Sequence, residues 1–393
     1  MAAQSFRHED LRLIAMKRCS LFFAALAVLG LGTLSGCSRE PIDPRIEMGD
    51  VLDTGDTEGA LRPISRALAT SSNDSIPDDL TGDSGLWLLE RGTVQLALGN
   101  AESSARDFTV GSPLFDEQDL SHTEAEDLLG YLYANDSSHY RSTMYEKFAA
   151  PVFSELAYLE KGDLEGARVE ARKFETISKF SELETEFASS DIARAGHLIS
   201  GFISLQANRK EDAALHFEEA GRTETAVVAP QEVLLVIGTG RVAPIITETR
   251  SGVLLPALSP REDAPPAMSV LVDGTSVALH EHFSIAKDAR SEWAALSTKL
   301  EVAAVSRKLL RDAATKAAGS ALSVEPSTVD WLTPSTNEPD TRSWASLPAN
   351  LWVERITFEN VAARIITLQI DGESTTIDLS AQPRTAAIHL RLR

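Results

Sequence analysis

His280-Glu281-His282 is the one place in this chain where metal-ligating side chains crowd together. In an extended strand both imidazoles would point to one face and share an ion. A usual zinc site takes three or four protein ligands, and no second His cluster stands in the sequence, so no metal is assigned. Gly238-Thr239-Gly240 follows the apolar run Glu232-Val233-Leu234-Leu235-Val236-Ile237. A dinucleotide fingerprint needs a third Gly three residues on and a helix opening there, and neither is present. The sequence holds no Gly-x-Ser-x-Gly elbow, His-Glu-x-x-His pair or phosphate-binding loop. Acid pairs such as Glu184 and Glu186 are frequent in so acidic a chain, and none is marked out as a general acid. No catalytic residue and no cofactor is expected.

The side chain with the clearest prospective chemistry is Cys37. It ends the box Leu34-Ser35-Gly36-Cys37, which closes an apolar run from Leu21 preceded by Lys17-Arg18. Basic flank, short apolar core and small residues are the parts of a secretory signal. The core is about a dozen residues, short of the roughly 20 that span a bilayer. The box is similar to a bacterial lipoprotein signal, in which the Cys is acylated and becomes the mature first residue. Arg7, Glu9, Asp10 and Arg12 make a poor n-region and Met16 followed by Lys17-Arg18 a better one, so Met16 stands beside Met1 as a start. Ser38 follows the Cys, where an Asp often signals retention at the inner membrane. The resemblance therefore implies a lipid-anchored envelope protein at the outer membrane, facing the periplasm.

The 393 residues carry a net charge of −21. Residues 1–36 hold four basic and two acidic side chains, and the remainder carries 33 Lys+Arg against 56 Asp+Glu, a net −23. Such a chain repels phosphate backbones, and no basic stripe stands out, so nucleic acid is not an expected partner. It also repels anionic lipid, which leaves anchoring to the acyl chains. Only Cys19 and Cys37 occur; one leaves with the signal and the other is acylated, so no disulfide is expected.

Residues 37–58 are acidic and rich in Gly and Pro, as a tether is; an irregular loop packed on the body reads the same way. From Gly59 to about Thr223 apolar residues recur at helical spacing, beginning with Leu61, Ile64 and Leu68. Three hairpin units follow, turning at Gly99-Asn100, at Gly162-Asp163 and at Asn208. Tetratricopeptide hairpins place a small residue, a turn Gly or Asn, an Ala and an aromatic at set intervals. Gly201, Asn208, Ala213, Phe217 and Ala220 fit fully. Gly92, Gly99 and Phe108 fit with Ser104 in place of Ala, and Gly162, Ala167 and Phe174 fit with Glu155 in place of the small residue. The turns lie 63 and 46 residues apart, against about 34 in a regular array. A tetratricopeptide-like stack with insertions and an ordinary antiparallel bundle satisfy the pattern equally.

After Thr223 the period changes to strands. Glu232 to Ile237 and Arg241 to Thr249 suggest a hairpin, and Asp273-Gly274 a tight turn between two more strands. A long helix is expected from Ile285 to Ala318, with Trp293, Leu296, Leu300, Ala304 and Leu309 toward a core. Residues 324–350 read as a linker. Four strands are expected in 351–393. The fold class is thus α+β: a signal at 1–36, a helical-hairpin domain at 59–223, a mixed region at 224–323 and a small C-terminal antiparallel sheet or sandwich.

Two strings are candidate partner-binding sites. Tyr131 and Tyr133, with Tyr140 and Tyr145 nearby, suit either the lip of a groove or a packed helix end. In Asp340-Thr341-Arg342-Ser343-Trp344, Arg342 and Trp344 either lock the domain junction or dock a partner, since Trp and Arg are frequent hot spots. That string, Asn135-Asp136-Ser137, the run Gly162 to Arg172 and the helix Lys299 to Lys316 together resemble a family of Gram-negative lipoproteins with tetratricopeptide-like helices. The family supplies no catalytic residues. What the resemblance implies is an envelope accessory protein. The leading expectation is a non-enzymatic scaffold for other envelope proteins. The alternatives are a cell-wall or carbohydrate-binding module, or an envelope enzyme, built on the C-terminal sheet.

Overall fold

Each expected hairpin closes at its turn residue. The computed structural model describes residues 42–116, 140, 142–184, 189–222, 231–261, 264–322, 339–358, 364–380 and 385–393. Helices α1 (Pro44–Asp53) and α2 (Leu61–Ala67) precede three pairs. These are α3 (Ser84–Ala97) with α4 (Ala101–Asp116), α5 (Met144–Lys161) with α6 (Leu164–Glu184), and α7 (Asp191–Gln206) with α8 (Lys210–Glu219). Gly99, Gly162 and Asn208 have φ of 75°, 79° and 59°, the left-handed region that ends a helix and that Gly or Asn enters at least cost. The pairs stack in order, α4 on α5 and α6 on α7.

Small residues set the approach within pairs. A Cβ on Gly201 would lie 2.6 Å from the Phe217 ring, and one on Gly92 would lie 3.1 Å from Phe108. Ser104 replaces Ala without loss because its Oγ donates to the Gly92 carbonyl at 2.8 Å. Glu155 is fully buried and accepts from Ser200 Oγ at 3.0 Å. In that pair the small residue is on the facing helix, where Gly166 sits beneath Tyr158. Gly201→Val should therefore cost about 1–3 kcal/mol by overpacking. A melting temperature unchanged from wild type would show that the contact is looser than this.

The stretch read as a tether is not free from Pro44 on. Met48 and Leu52, spaced i, i+4 on α1, are both fully buried and the helix packs against α2. With Val51 half-buried beside them, they form the apolar face that seats this short helix.

The strands are β1 (Glu232–Thr239), β2 (Ile245–Arg250), β3 (Val253–Leu258), β4 (Met268–Val272), β5 (Thr275–Val277), β6 (His282–Ser284), β7 (Asn350–Thr357), β8 (Ile365–Ile370), β9 (Glu373–Asp378) and β10 (Ala386–Arg391). One sheet runs β10-β1-β7-β6, a second runs β5-β4-β8-β9, and β2-β3 pair alone. β1 is an unbroken apolar run because both its faces are covered. Leu234 and Val236 join the core made by the helices, while Val233, Leu235 and Ile237 join a second core with Val270, Ile366 and Leu368. The first sheet is thus the middle layer between the helices and the second sheet.

The expected hairpin of β1 with residues 241–249 does not form. Both edges of β1 are taken, by β10 in parallel and β7 antiparallel. Gly240, with φ 65°, turns the chain aside, and the Val242 N–H donates to the Leu347 carbonyl at 2.8 Å. Asp273-Gly274 does join β4 to β5, with φ of 48° and 83° as a tight hairpin turn requires. All four C-terminal strands form. They divide between the sheets: β7 and β10 flank β1, and the antiparallel pair β8-β9 joins β4.

The long helix, α9 (Ile285–Leu322), buries Trp293, Leu300 and Ala304, but Leu309, expected on the core side, is 64% exposed. Among the described side chains of α9 the last buried one is Ala304. No helix among the described residues is long and apolar enough to cross a membrane.

Candidate interaction site

The groove between the first two helical pairs is filled by the chain's own residues 339–349, the end of the stretch read as a linker. Trp344 is 1% exposed. Its ring lies 6.1 Å from Phe108 of α4 and 6.0 Å from Phe153 of α5, centroid to centroid. The indole Nε1–H donates to Thr93 Oγ1 at 3.1 Å, which gives the ring's polar handle a partner.

Two buried carboxylates grip the backbone of the segment. Glu146 Oε1 accepts from the Trp344 N–H at 2.8 Å, and Glu90 accepts from the Ala345 and Ser346 N–H groups at 2.6 and 2.8 Å. Glu146 Oε2 also takes the Thr143 N–H and Oγ1 at the start of α5 and the Tyr140 hydroxyl. Burial raises the Glu146 pKa and pushes Glu90 up to about 7, against the hydrogen bonds each accepts. Arg241, 2% exposed, closes the far side: it donates to the Ala345 and Gly49 carbonyls and to Asp53 of α1.

Arg342 is held by Asp340 on one side and Asp83 on the other, with its guanidinium 5.9 Å from the Tyr140 ring. Burial disfavours the cation, but the two carboxylates outweigh it and hold the pKa above its ordinary value. Arg342 and Trp344 are therefore both engaged inside the chain, with partners on α3, α4 and α5 and in the loop before α3. Tyr140 and Tyr145 are buried at 4% and 1%. Tyr131, Tyr133 and Cys37 lie outside the described residues.

The same device recurs on α9. Asp288 and Glu292, one turn apart on one face, reach the starts of two helices. Asp288 accepts from the Asp191 and Ile192 N–H groups of α7 at 3.1 and 2.8 Å, and Glu292 accepts from Met144 and Tyr145 of α5 at 2.7 and 3.2 Å. A helix start offers unpaired N–H groups and a positive dipole end. Burial pushes Asp288 to about 6 and Glu292 to about 7.

His280 and His282 do not converge. His280 Nδ1 lies 3.7 Å from Glu354, whereas His282 stacks 4.7 Å from Trp352 and bonds Asn350. Glu281 pairs with Arg222 and Arg194. Gly238 is pressed by Leu390 and Pro348, so its small size serves packing. A small open cleft lies between Val242, Leu258, Pro260, Arg261 and Ala289, and Arg261 there is tied to Asp53.

Sequence reading missed a polar line through the second and third helical pairs. Ser178 Oγ lies 3.2 Å from His197 Nε2, the two Nδ1 atoms of His197 and His216 are 3.1 Å apart, and His216 Nε2 is 3.2 Å from Glu175. Its signal was available: His197 and His216 stand close to the Gly201 and Phe217 that fix that pair's register. Comparison of the chain with protein-family models, with curated proteins and with solved structures finds no match in any of the three.

Proposed function

We propose that this chain is a lipid-anchored protein of the cell envelope, at the outer membrane and facing the periplasm, where it acts without catalysis as a scaffold for other envelope proteins. The observation that carries the reading is the coincidence of the Leu34-Ser35-Gly36-Cys37 box with three stacked helical pairs, an architecture that serves as a binding surface in helical-repeat proteins. The resemblance to tetratricopeptide-like lipoproteins points the same way. A partner meets a stack whose groove already holds residues 339–349, so it docks on the outer faces. There Val169 of α6 and Leu215 of α8 are 48% and 62% exposed. A sugar-binding sheet gains no support, because no Phe, Tyr or Trp side chain whose burial is described is exposed.

Cross-linking in cells followed by purification tests the reading, with wild type beside Cys37→Ser. Wild type should fractionate with membranes and capture specific envelope proteins. Cys37→Ser should stay unacylated and lose both. Membrane association that survives Cys37→Ser would sink the anchor, and a wild type that captures nothing specific would sink the scaffold.

A further inference from the structure

α6 and α8 lie side by side, with Glu175 of α6 3.2 Å from His216 of α8. α7 runs back between them, meeting α6 where Ser178 reaches His197 and α8 where Gly201 faces Phe217. α6 and α8 therefore point the same way. Each presents an exposed stripe at helical spacing. On α6 the stripe includes Val169, Arg172, Thr176 and Lys179, and on α8 it is Glu211, Leu215 and Glu218.

The two stripes carry opposite charge at the same spacing. Arg172, Thr176 and Lys179 stand at i, i+4 and i+7, and so do Glu211, Leu215 and Glu218. Arg172 has no ion pair among the described residues, and Lys179, 74% exposed, comes no nearer than 3.7 Å to Glu175. Glu165, which continues the α6 stripe, is already taken by Arg168 at 2.7 and 2.9 Å. Glu211 and Glu218 have no ion pair among the described residues. Lys210, at the start of α8, lies about 100° round the helix from Glu211 and so off the stripe.

We propose that this face pairs with the same face of a second copy of the chain, α6 of each copy lying over α8 of the other. A twofold axis along the seam between the helices makes both contacts at once. The level of Glu175 with His216 fixes the register. At a rise of about 1.5 Å per residue, Arg172 then falls within about 3 Å of the level of Glu211 in the other copy. Lys179 stands in the same relation to Glu218, and Thr176 to Leu215. Elsewhere the net −23 of residues 37–393 repels a second copy, which leaves complementary charge to choose the face.

Two helices of this length offer roughly 500 Å² per copy, short of the about 800 Å² of a stable pair. The pairing is weak in solution and depends on its charges. It gives the outer face an occupant, and rests on the scaffold reading only in taking that face as the docking surface. If the anchor reading also holds, confinement to a membrane raises the effective concentration of the copies.

Capture between two differently tagged full chains, co-expressed and extracted together, tests the pairing. Wild type should capture wild type. Arg172→Glu/Lys179→Glu and Glu211→Lys/Glu218→Lys should each lose self-capture roughly tenfold or more, because the twofold axis repeats every reversed contact. Mixed with each other, the two variants should recover capture, since both contacts again join opposite charges. Wild type without self-capture, a variant that keeps it, or a folded mixture that stays apart overturns the proposal. Should a variant fail to fold, mixed disulfides decide. Lys179→Cys should cross-link to Glu218→Cys of the other tag, and Leu309→Cys should not; equal yields overturn the pairing. A wild type that captures envelope proteins but never its copy removes the pairing and leaves the scaffold standing. Self-capture without any envelope protein does the reverse.

Discussion

Trp344→Ala should lower the free energy of unfolding by about 4 kcal/mol, within the range for removing a large buried aromatic. The ring is 1% exposed and meets Phe108 and Phe153 from two different helical pairs. Its loss opens a cavity at the place where the helices and the chain entering β7 meet. Thr93 Oγ1 loses a donor but keeps its own bond to the Leu89 carbonyl at 2.9 Å, so the polar penalty is small and the cavity dominates. Trp344→Phe, which keeps most of the ring volume, should cost about half as much. Denaturant unfolding of the three proteins measures this. A cost for Ala below about 1.5 kcal/mol would mean that the ring does not anchor the segment. Loss of a cross-linked partner in cells with unfolding unchanged would move Trp344 to the partner-binding role instead.

Local features of this fold were legible in the sequence, and distant ones were not. Gly99, Gly162 and Asn208 end helices through their own backbone geometry, so their positions gave the hairpins and the α+β class. Asp273-Gly274 gave its turn for the same reason. The partner of β1 was not readable, because Leu234 pairs with Ala386 on one edge and Arg355 on the other, and nothing near Leu234 encodes either. The seat of Trp344 was hidden in the same way: its backbone bond to Glu146 spans 198 residues, and that of Ser346 to Glu90 spans 256. Asp340 to Trp344 read as special because a charge pair and a Trp inside a polar stretch are unusual. Helix α1 escaped notice since its apolar face is narrow, Met48 and Leu52 with Val51 half-buried beside them.

Glu90 should make stability depend on pH in a direction opposite to that of His197, whose pKa burial pushes down to about 4. The carboxylate is 1% exposed and accepts both the Ala345 and Ser346 N–H groups. Glu90→Ala orphans those two donors and should cost about 3 kcal/mol, measured by denaturant unfolding near neutral pH. Burial pushes the Glu90 pKa up from 4.5 to about 7. A carboxyl raised on folding takes up a proton, so its contribution is complete below the unfolded value and is lost as pH rises through 7. From pH 5.5 to 8.5 the loss amounts to about 2 kcal/mol. Glu292, also pushed to about 7, acts in the same sense, while His197 loses stability on the acid side. The raw pH profile of the wild type therefore mixes opposed trends. Glu90→Gln isolates one of them, because the amide is neutral throughout and every other group is shared. The destabilisation by Glu90→Gln should be larger at pH 5.5 and shrink by about 2 kcal/mol at pH 8.5. A difference that stays constant across this range would mean that Glu90 is ionised in the folded chain at pH 5.5. In that case the two backbone amides and Arg241 would outweigh burial, and residues 339–349 would be held by a charge and not by a neutral acid.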